Sequence, residues 1–238
     1  MKLRRIVRVA GTVVLVAGAL TVAWGLVTWQ WGDPVTGFYT RWKQRDLAHS
    51  YAHVAQQFAI PDGTGQHASD PMLAIRAAAK RLRTAAHEGQ AIGRIQVPRL
   101  DLNMVLVNGT DHDSLKTGPG RDARTYMPGQ GELVYVAGHR TTYGAPFARI
   151  DRLAAGDRIV LRMPYVTAVY RVTSHVIVPA DDLSRLASHG REVVALQACH
   201  PRFSARERYI VYARPVSFTP VQAETASAAA SVRTSSLD

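Results

Sequence analysis

Three patterns of apolar and polar positions follow one another along the chain. Residues 9–29 (VAGTVVLVAGALTVAWGLVTW) are an uncharged, mostly apolar run of 21 residues. Wound as a helix rising about 1.5 Å per residue, that run spans roughly 30 Å, the thickness of a bilayer's hydrocarbon core. Residues 42–60 then take helical spacing, with Leu47, Tyr51, Val54 and Phe58 on one side. The PDGTG at 61–65 breaks that helix, and the alanine- and arginine-rich stretch 71–87 predicts a second one. From Ala91 onward the pattern changes to short apolar runs between turn residues: IGRIQVPRL, NMVLVNG, GELVYVAG, DRIVLRMP, TAVYRVTSHVIV, EVVALQAC and RYIVYARPV. Seven or eight short strands with few helices between them predict a β-sandwich or, more closely, a small β-barrel. Pro98 falls near the end of the first run, where it restricts pairing to an edge or marks a bend. The last 18 residues, 221–238, are rich in Ala, Ser and Thr with little to bury, and predict a disordered tail.

The flanks of the apolar run orient it. Lys2, Arg4, Arg5 and Arg8 precede it and belong on the cytoplasmic side, and Trp24, Trp29 and Trp31 suit the outer interface. Ala17-Gly18-Ala19 fits a signal-peptide cleavage site, but the apolar run continues well past it, which favours an uncleaved signal anchor. The chain therefore divides into a cytoplasmic tail at 1–8, a transmembrane anchor at 9–31, a helical stalk or appendage at 32–90, a mainly β domain at 91–218 and a tail at 219–238. The expected location is a single-pass membrane protein with its β domain outside the cytoplasm.

Charge adds little to this picture. The chain carries 29 basic and 18 acidic residues, a formal net charge of +11. The excess suits solubility and anchoring, or attraction to anionic surfaces. No nucleic-acid motif accompanies it, and the location argues against nucleic acid as a partner. His49 and His53 stand four apart on the first helix, as metal ligands can, but without a third ligand nearby they read as surface histidines.

The candidate chemistry centres on Cys199, the single cysteine of the chain. Outside the cytosol an unpaired thiol is accidental, intermolecular or kept for its reactivity. Three strand-adjacent pieces bear on the choice: AGHRTTYGAPF at 137–147, ALQACHP at 195–201 and RERYIV at 206–211. A thiol that cleaves an acyl bond needs help to form thiolate, to protonate the leaving amine and to stabilise an oxyanion. A histidine and an arginine supply that help with no metal and no cofactor. In a strand from 208 to 213, Arg208, Ile210 and Tyr212 share a face, whereas Arg206 lies in the loop before it. His200, next to Cys199 in a strand, points to the opposite face, which favours His139 as the partner.

At these residues the chain resembles the sortases, membrane-anchored cysteine transpeptidases of Gram-positive bacteria. GHRTTYGAPF followed by CHPRFSARERYIV is most similar to class E, the housekeeping type of actinobacteria. The likeness runs from about 92 to 216 and includes Gly156-Asp157 and the PGQGE turn before the histidine strand. It implies a sortase-like closed β-barrel, with Cys199 as nucleophile, His139 as general acid/base and Arg208 as oxyanion or substrate stabiliser. It also implies substrate contacts at Tyr143, which a tyrosine packed under the loop would equally explain, and at Thr142 and Ala198.

The implied reaction cleaves an LAxTG- or LPxTG-type sorting motif between Thr and Gly through a thioester. The acyl group then passes to the amine of a peptidoglycan precursor of lipid II type. The partners would be secreted proteins bearing a C-terminal sorting signal. Two departures stand out. Ala195 and Ala198 occupy positions where the family's TLxTC motif carries threonines, and Arg121 in Gly118-Pro119-Gly120-Arg121 stands where class E commonly has histidine. A catalytically impaired barrel acting as a wall-associated scaffold would explain the missing threonines. An L,D-type cysteine transpeptidase would need His-Gly-Cys at the thiol, which is absent.

Overall fold

The structure, a computed structural model, describes residues 2–31, 34–61 and 70–222. Positions 62–65 of the expected helix break and 223–238 of the expected tail lie outside the described residues, as do the side chains of Trp29 and Trp31. Helix α1 (Lys2–Trp31) contains a stretch, Arg4–Leu26, that is long and apolar enough to cross a membrane and is exposed throughout.

Helix α2 (Pro34–Phe58) buries Val54 and Phe58 against the barrel, as its spacing predicts. Helix α3 (Pro71–Ala85) starts at an Asp70 cap that accepts the Met72 N–H, with Pro71 in the first turn, where its missing N–H costs nothing. Ile75, Ala78, Ala79 and Leu82 recur at helical spacing and are buried in the same core as the strands. Both helices thus lie on the barrel rather than standing off from it.

Eight strands follow: β1 (Ala91–Val97), β2 (Leu102–Asn108), β3 (Gly120–Arg121), β4 (Leu133–Ala137), β5 (Arg158–Arg162), β6 (Val166–Pro179), β7 (Val193–His200) and β8 (Glu207–Pro220). A short helix, α4 (His112–Thr117), joins β2 to β3. The strands close into a barrel in the order β1-β2-β3-β4-β7-β8-β6-β5. The β2–β3 and β4–β7 pairs are parallel and the remaining pairs antiparallel. Pro98 opens a short 3-10 turn after β1, so it marks a bend. Strand β8 runs on to Pro220 opposite Val166, so residues 219 and 220, expected to begin the tail, belong to the barrel.

Alternation sorts the side chains of the central strands. Val134, Val136, Leu196, Ala198 and Val211 turn into the main core, while Leu133, Tyr135, Ala195 and Ile210 form a second, smaller cluster on the outer face. That outer face carries the site.

Two buried polar groups fix turns of the barrel. Glu192 accepts hydrogen bonds from the Gly129 and Gly131 N–H groups and from the Tyr170 hydroxyl at 2.6 Å, which pins the PGQGE turn. Gly129 adopts φ +91 with Ile75 of α3 packed onto it, where a side chain would clash. Arg121 is buried inside the barrel and donates to Asn108 Oδ1 and the Thr125 carbonyl. Burial, with Arg83 as a second cause, pushes its guanidinium down to about 10. An arginine at this position ties β3 to β2 and holds the following turn.

Candidate active site

Strands β7 and β8 pair antiparallel with Cys199 directly opposite Arg208. Residues opposite one another in an antiparallel pair project to the same face, so thiol and guanidinium emerge together. Arg208 Nη1 lies 3.8 Å from the sulfur and also donates to the Ala205 and Glu207 carbonyls at 2.9 and 3.1 Å. Among the described residues no carboxylate lies within ion-pairing distance of Arg208. Its charge is therefore available to the sulfur and to whatever binds there.

Strand β4 runs parallel to β7 at a constant offset of 60, from Leu133 beside Val193 to Ala137 beside Gln197. The ladder continues one residue further, with the Gly138 N–H donating to the Gln197 carbonyl at 3.0 Å. Carried on by one more residue, the register sets His139 alongside Cys199. Gly138 must lack a side chain here, because a Cβ would sit 2.7 Å from the Phe147 ring that packs beneath the turn. Cys199 on β7, Arg208 on β8 and His139 in the loop just after β4 accordingly line one groove of about 240 Å³.

His139 is half-buried, and its Nε2 is enclosed without a hydrogen-bond partner among the described residues. Burial holds its imidazole below the ordinary range, with the nearby His112 charge acting in the same direction. The Tyr143 ring lies 5.1 Å from the His139 ring, tilted by 39°. Tyr143 itself has φ +52, and its N–H donates to Thr36 Oγ1 of α2 at 2.8 Å. The helix leading toward the apolar N-terminal segment thus holds the loop that carries the histidine.

The expected substrate contacts are distributed differently. Ala198 is fully buried in the barrel interior, one residue out of phase with Cys199, and has no surface to offer a substrate. That corrects the expectation placed on it. Thr142 lies in the turn after His139, where its carbonyl accepts the Ala145 N–H, and neither it nor Tyr143 lines the groove. The groove walls instead include Leu115, Tyr135, Leu183, Leu186 and Ile210, with Thr110 and the charged Asp122, Arg124 and Asp182 among them. Tyr135 and Ile210 could have been found from the sequence, since they stand at even spacing from His139 and Arg208 on the same strand faces. The loop residues Leu183 and Leu186 carry no such signal. His200 lies away from the groove with its ring 5.8 Å from that of Tyr209, and Arg206 is exposed in the loop before β8.

An open groove lined by aliphatic, aromatic and charged side chains together with a thiol, an imidazole and a guanidinium suits attack on a carbonyl of an extended peptide. Similarity to known proteins agrees with that chemistry. Sortase D of Bacillus subtilis (strain 168) is 34% identical over 54% of this chain and 66% of its own length. Sortase SrtE1 of Streptomyces coelicolor is 28% identical over 59% of this chain and 45% of its own length. The chain thus spans from under half to about two thirds of these relatives. Among solved structures, Streptomyces coelicolor sortase E1 with a tripeptide in its active site superposes with TM-score 0.52 and 28% identity, covering 57% of this chain and 94% of that one. The SrtF sortase of Corynebacterium diphtheriae gives TM-score 0.54 and 26% identity, over 57% of this chain and 89% of that one. The Sortase domain family itself matches residues 95–216, just over half of the chain, a stretch that includes Cys199, His139 and Arg208, and the protein belongs to the sortase family.

Proposed function

We propose that this protein is a membrane-anchored, class E-type cysteine transpeptidase that cleaves an LAxTG- or LPxTG-type sorting motif between Thr and Gly. It then joins the threonine carbonyl to the amine of a cell-wall precursor. The observation that supports this reading most is the placement of Cys199 opposite Arg208 with His139 in register beside them.

The chemistry runs in two balanced halves. The Cys199 sulfur, as thiolate, attacks the Thr–Gly carbonyl carbon, and the carbonyl oxygen takes up the negative charge. Arg208 supplies the cationic donor for that oxyanion. Protonated His139 gives its proton to the glycine nitrogen as the C–N bond breaks, which leaves a thioester on Cys199 and a neutral imidazole. An acceptor amine then attacks the thioester, His139 takes a proton from it, and the sulfur departs as thiolate. The proton returns to His139, the thiolate is regenerated, and the cycle closes without an external oxidant or metal.

The preference for alanine or proline at the second motif position belongs to the groove side chains. The anchoring reading draws on Arg4–Leu26 and the four basic residues around its start. Incubating the protein with quenched LAxTG and LPxTG peptides, with and without an amine acceptor, tests the function. Cleavage that depends on Cys199 and a new amide in the presence of the amine support it. Equal cleavage by Cys199→Ala would remove the nucleophile from the account, and silence on all peptides would favour a binding scaffold.

A further inference from the structure

Behind the His139–Cys199 pair lies a second pair, one residue further along each segment. The register that sets His139 beside Cys199 sets Arg140 beside His200, and alternation sends both of these away from the groove. Unlike the front pair, the rear pair is bonded. Arg140 is only 5% exposed. Its Nη1 donates to His200 Nδ1 at 2.8 Å and to the Cys199 carbonyl at 3.3 Å, and its Nη2 pairs with Asp151 Oδ1 at 2.9 Å. The Tyr209 ring lies 5.8 Å from the guanidinium carbon. A guanidinium has donors only, so His200 Nδ1 must accept and its ring proton sits on Nε2.

The location of this cluster gives it a task. Strand β4 ends at Ala137, and the last ladder bond toward β7 is made by Gly138. Beyond it the chain enters a loop with positive φ at Tyr143 and Ala145, and the β4–β7 ladder does not extend to His139. The His139 carbonyl accepts the Phe147 N–H at 3.1 Å, a bond within the loop itself, and Arg140 supplies the side-chain attachment from the loop to β7. It joins the histidine loop to the end of β7 and to the 3-10 turn at Ile150–Arg152, with one planar group whose donors have fixed directions.

We propose that Arg140 and His200 are positioning residues that hold His139 in register with Cys199. This rests on the roles given to His139 and Cys199 above. Their effect is indirect: neither faces the groove, yet one bonds the nucleophile's own carbonyl. A displacement of about 1 Å between reacting groups costs on the order of a hundred-fold in rate.

The full chain tests this through paired variants at His200, which is half-buried and more tolerant than Arg140. His200→Asn keeps an acceptor near the Nδ1 position, and His200→Leu removes it. Against a sorting peptide, His200→Leu and Arg140→Met should lower kcat about ten- to a hundred-fold with KM within about twofold. His200→Asn should stay within about threefold of the unaltered protein. Histidine-ring NMR of the resting protein reads the same displacement without turnover. The His139 signals should shift or broaden in His200→Leu and hold their positions in His200→Asn. If both variants leave kcat and the His139 signals unchanged, or if Asn and Leu perturb them equally, the positioning role is wrong. An unaltered protein that cleaves no peptide while its His139 signals still follow the Leu/Asn distinction would instead place the failure in the proposed reaction.

Discussion

Arg208 stands directly across the β7–β8 pair from Cys199, its Nη1 3.8 Å from the sulfur. The same guanidinium nitrogen is steadied by two backbone carbonyls and by no carboxylate among the described residues. An ion pair would have spent the charge; here it faces the thiol. Replacing Arg208 by alanine should lower kcat by about 10²–10³, the usual cost of losing one oxyanion donor in an acyl-transfer site. Lysine keeps the charge but not the planar fork and should recover only part of that loss. Steady-state kinetics on a cleavable sorting peptide measures both.

His139 should titrate below the ordinary imidazole value of about 6.5, because burial penalises its charged form. The sign for stability follows from the depressed value. The unfolded chain binds the proton first, so the contribution of His139 is complete above about pH 6.5 and is lost as pH falls from there through the lower folded-state value. Ring NMR of the folded protein gives the midpoint directly. Denaturant unfolding across that window should show a smaller pH slope in His139→Gln. A midpoint at or above the ordinary value would contradict the burial argument.

Tyr143 covers one side of that imidazole, with ring centres 5.1 Å apart. Tyr143→Ala should admit water to His139 and move its titration midpoint back up toward the ordinary value. The same NMR titration reads it, and an unmoved midpoint would assign the burial to the groove residues rather than to Tyr143.

Ala198 is fully buried in the packed interior. Restoring a threonine there adds a methyl group and a hydroxyl to a full core. Ala198→Thr should destabilise the protein by about 1–3 kcal/mol, seen as a lowered Tm, without raising turnover. A variant that turned over faster at unchanged Tm would show that the alanine limits the thiol after all.

Gln44 on α2 acts as a substitute edge for β2. Its Oε1 accepts the Val105 N–H at 2.6 Å, and its Nε2 donates to the Val105 and Thr117 carbonyls at 3.1 and 2.9 Å. Gln44→Leu leaves these buried backbone groups without the side chain and should cost about 1–3 kcal/mol in denaturant unfolding.

Much of the molecule was legible in the order and period of its residues. Period-2 alternation separates Cys199 from His200, and Arg208 from Tyr209; the same alternation, extended to Ala198, withholds the substrate contact expected there. Helical spacing identifies the face of α2 that includes Val54 and Phe58. Strand β3 escaped because two residues, Gly120 and Arg121, form no apolar run; they are a strand only because β2 and β4 flank them. Leu183 and Leu186 line the groove because a long loop returns there, and chain distance hides that. The Arg140–His200 contact depends on the parallel β4–β7 register, a non-local pairing that local pattern cannot state. The same register makes His139 a neighbour of Cys199, where sequence could offer only that both are present.

The central claim is that Cys199 carries the acyl group. Intact-protein mass spectrometry, after brief exposure to an LAxTG or LPxTG peptide in the absence of an amine, tests it most directly. The expected result is an adduct equal to the peptide acylated through its threonine, absent in Cys199→Ala, released by hydroxylamine as a hydroxamate, and accumulating less in Arg208→Ala. Cleavage of the same peptide with no such adduct, and at the same rate in Cys199→Ala, would contradict it.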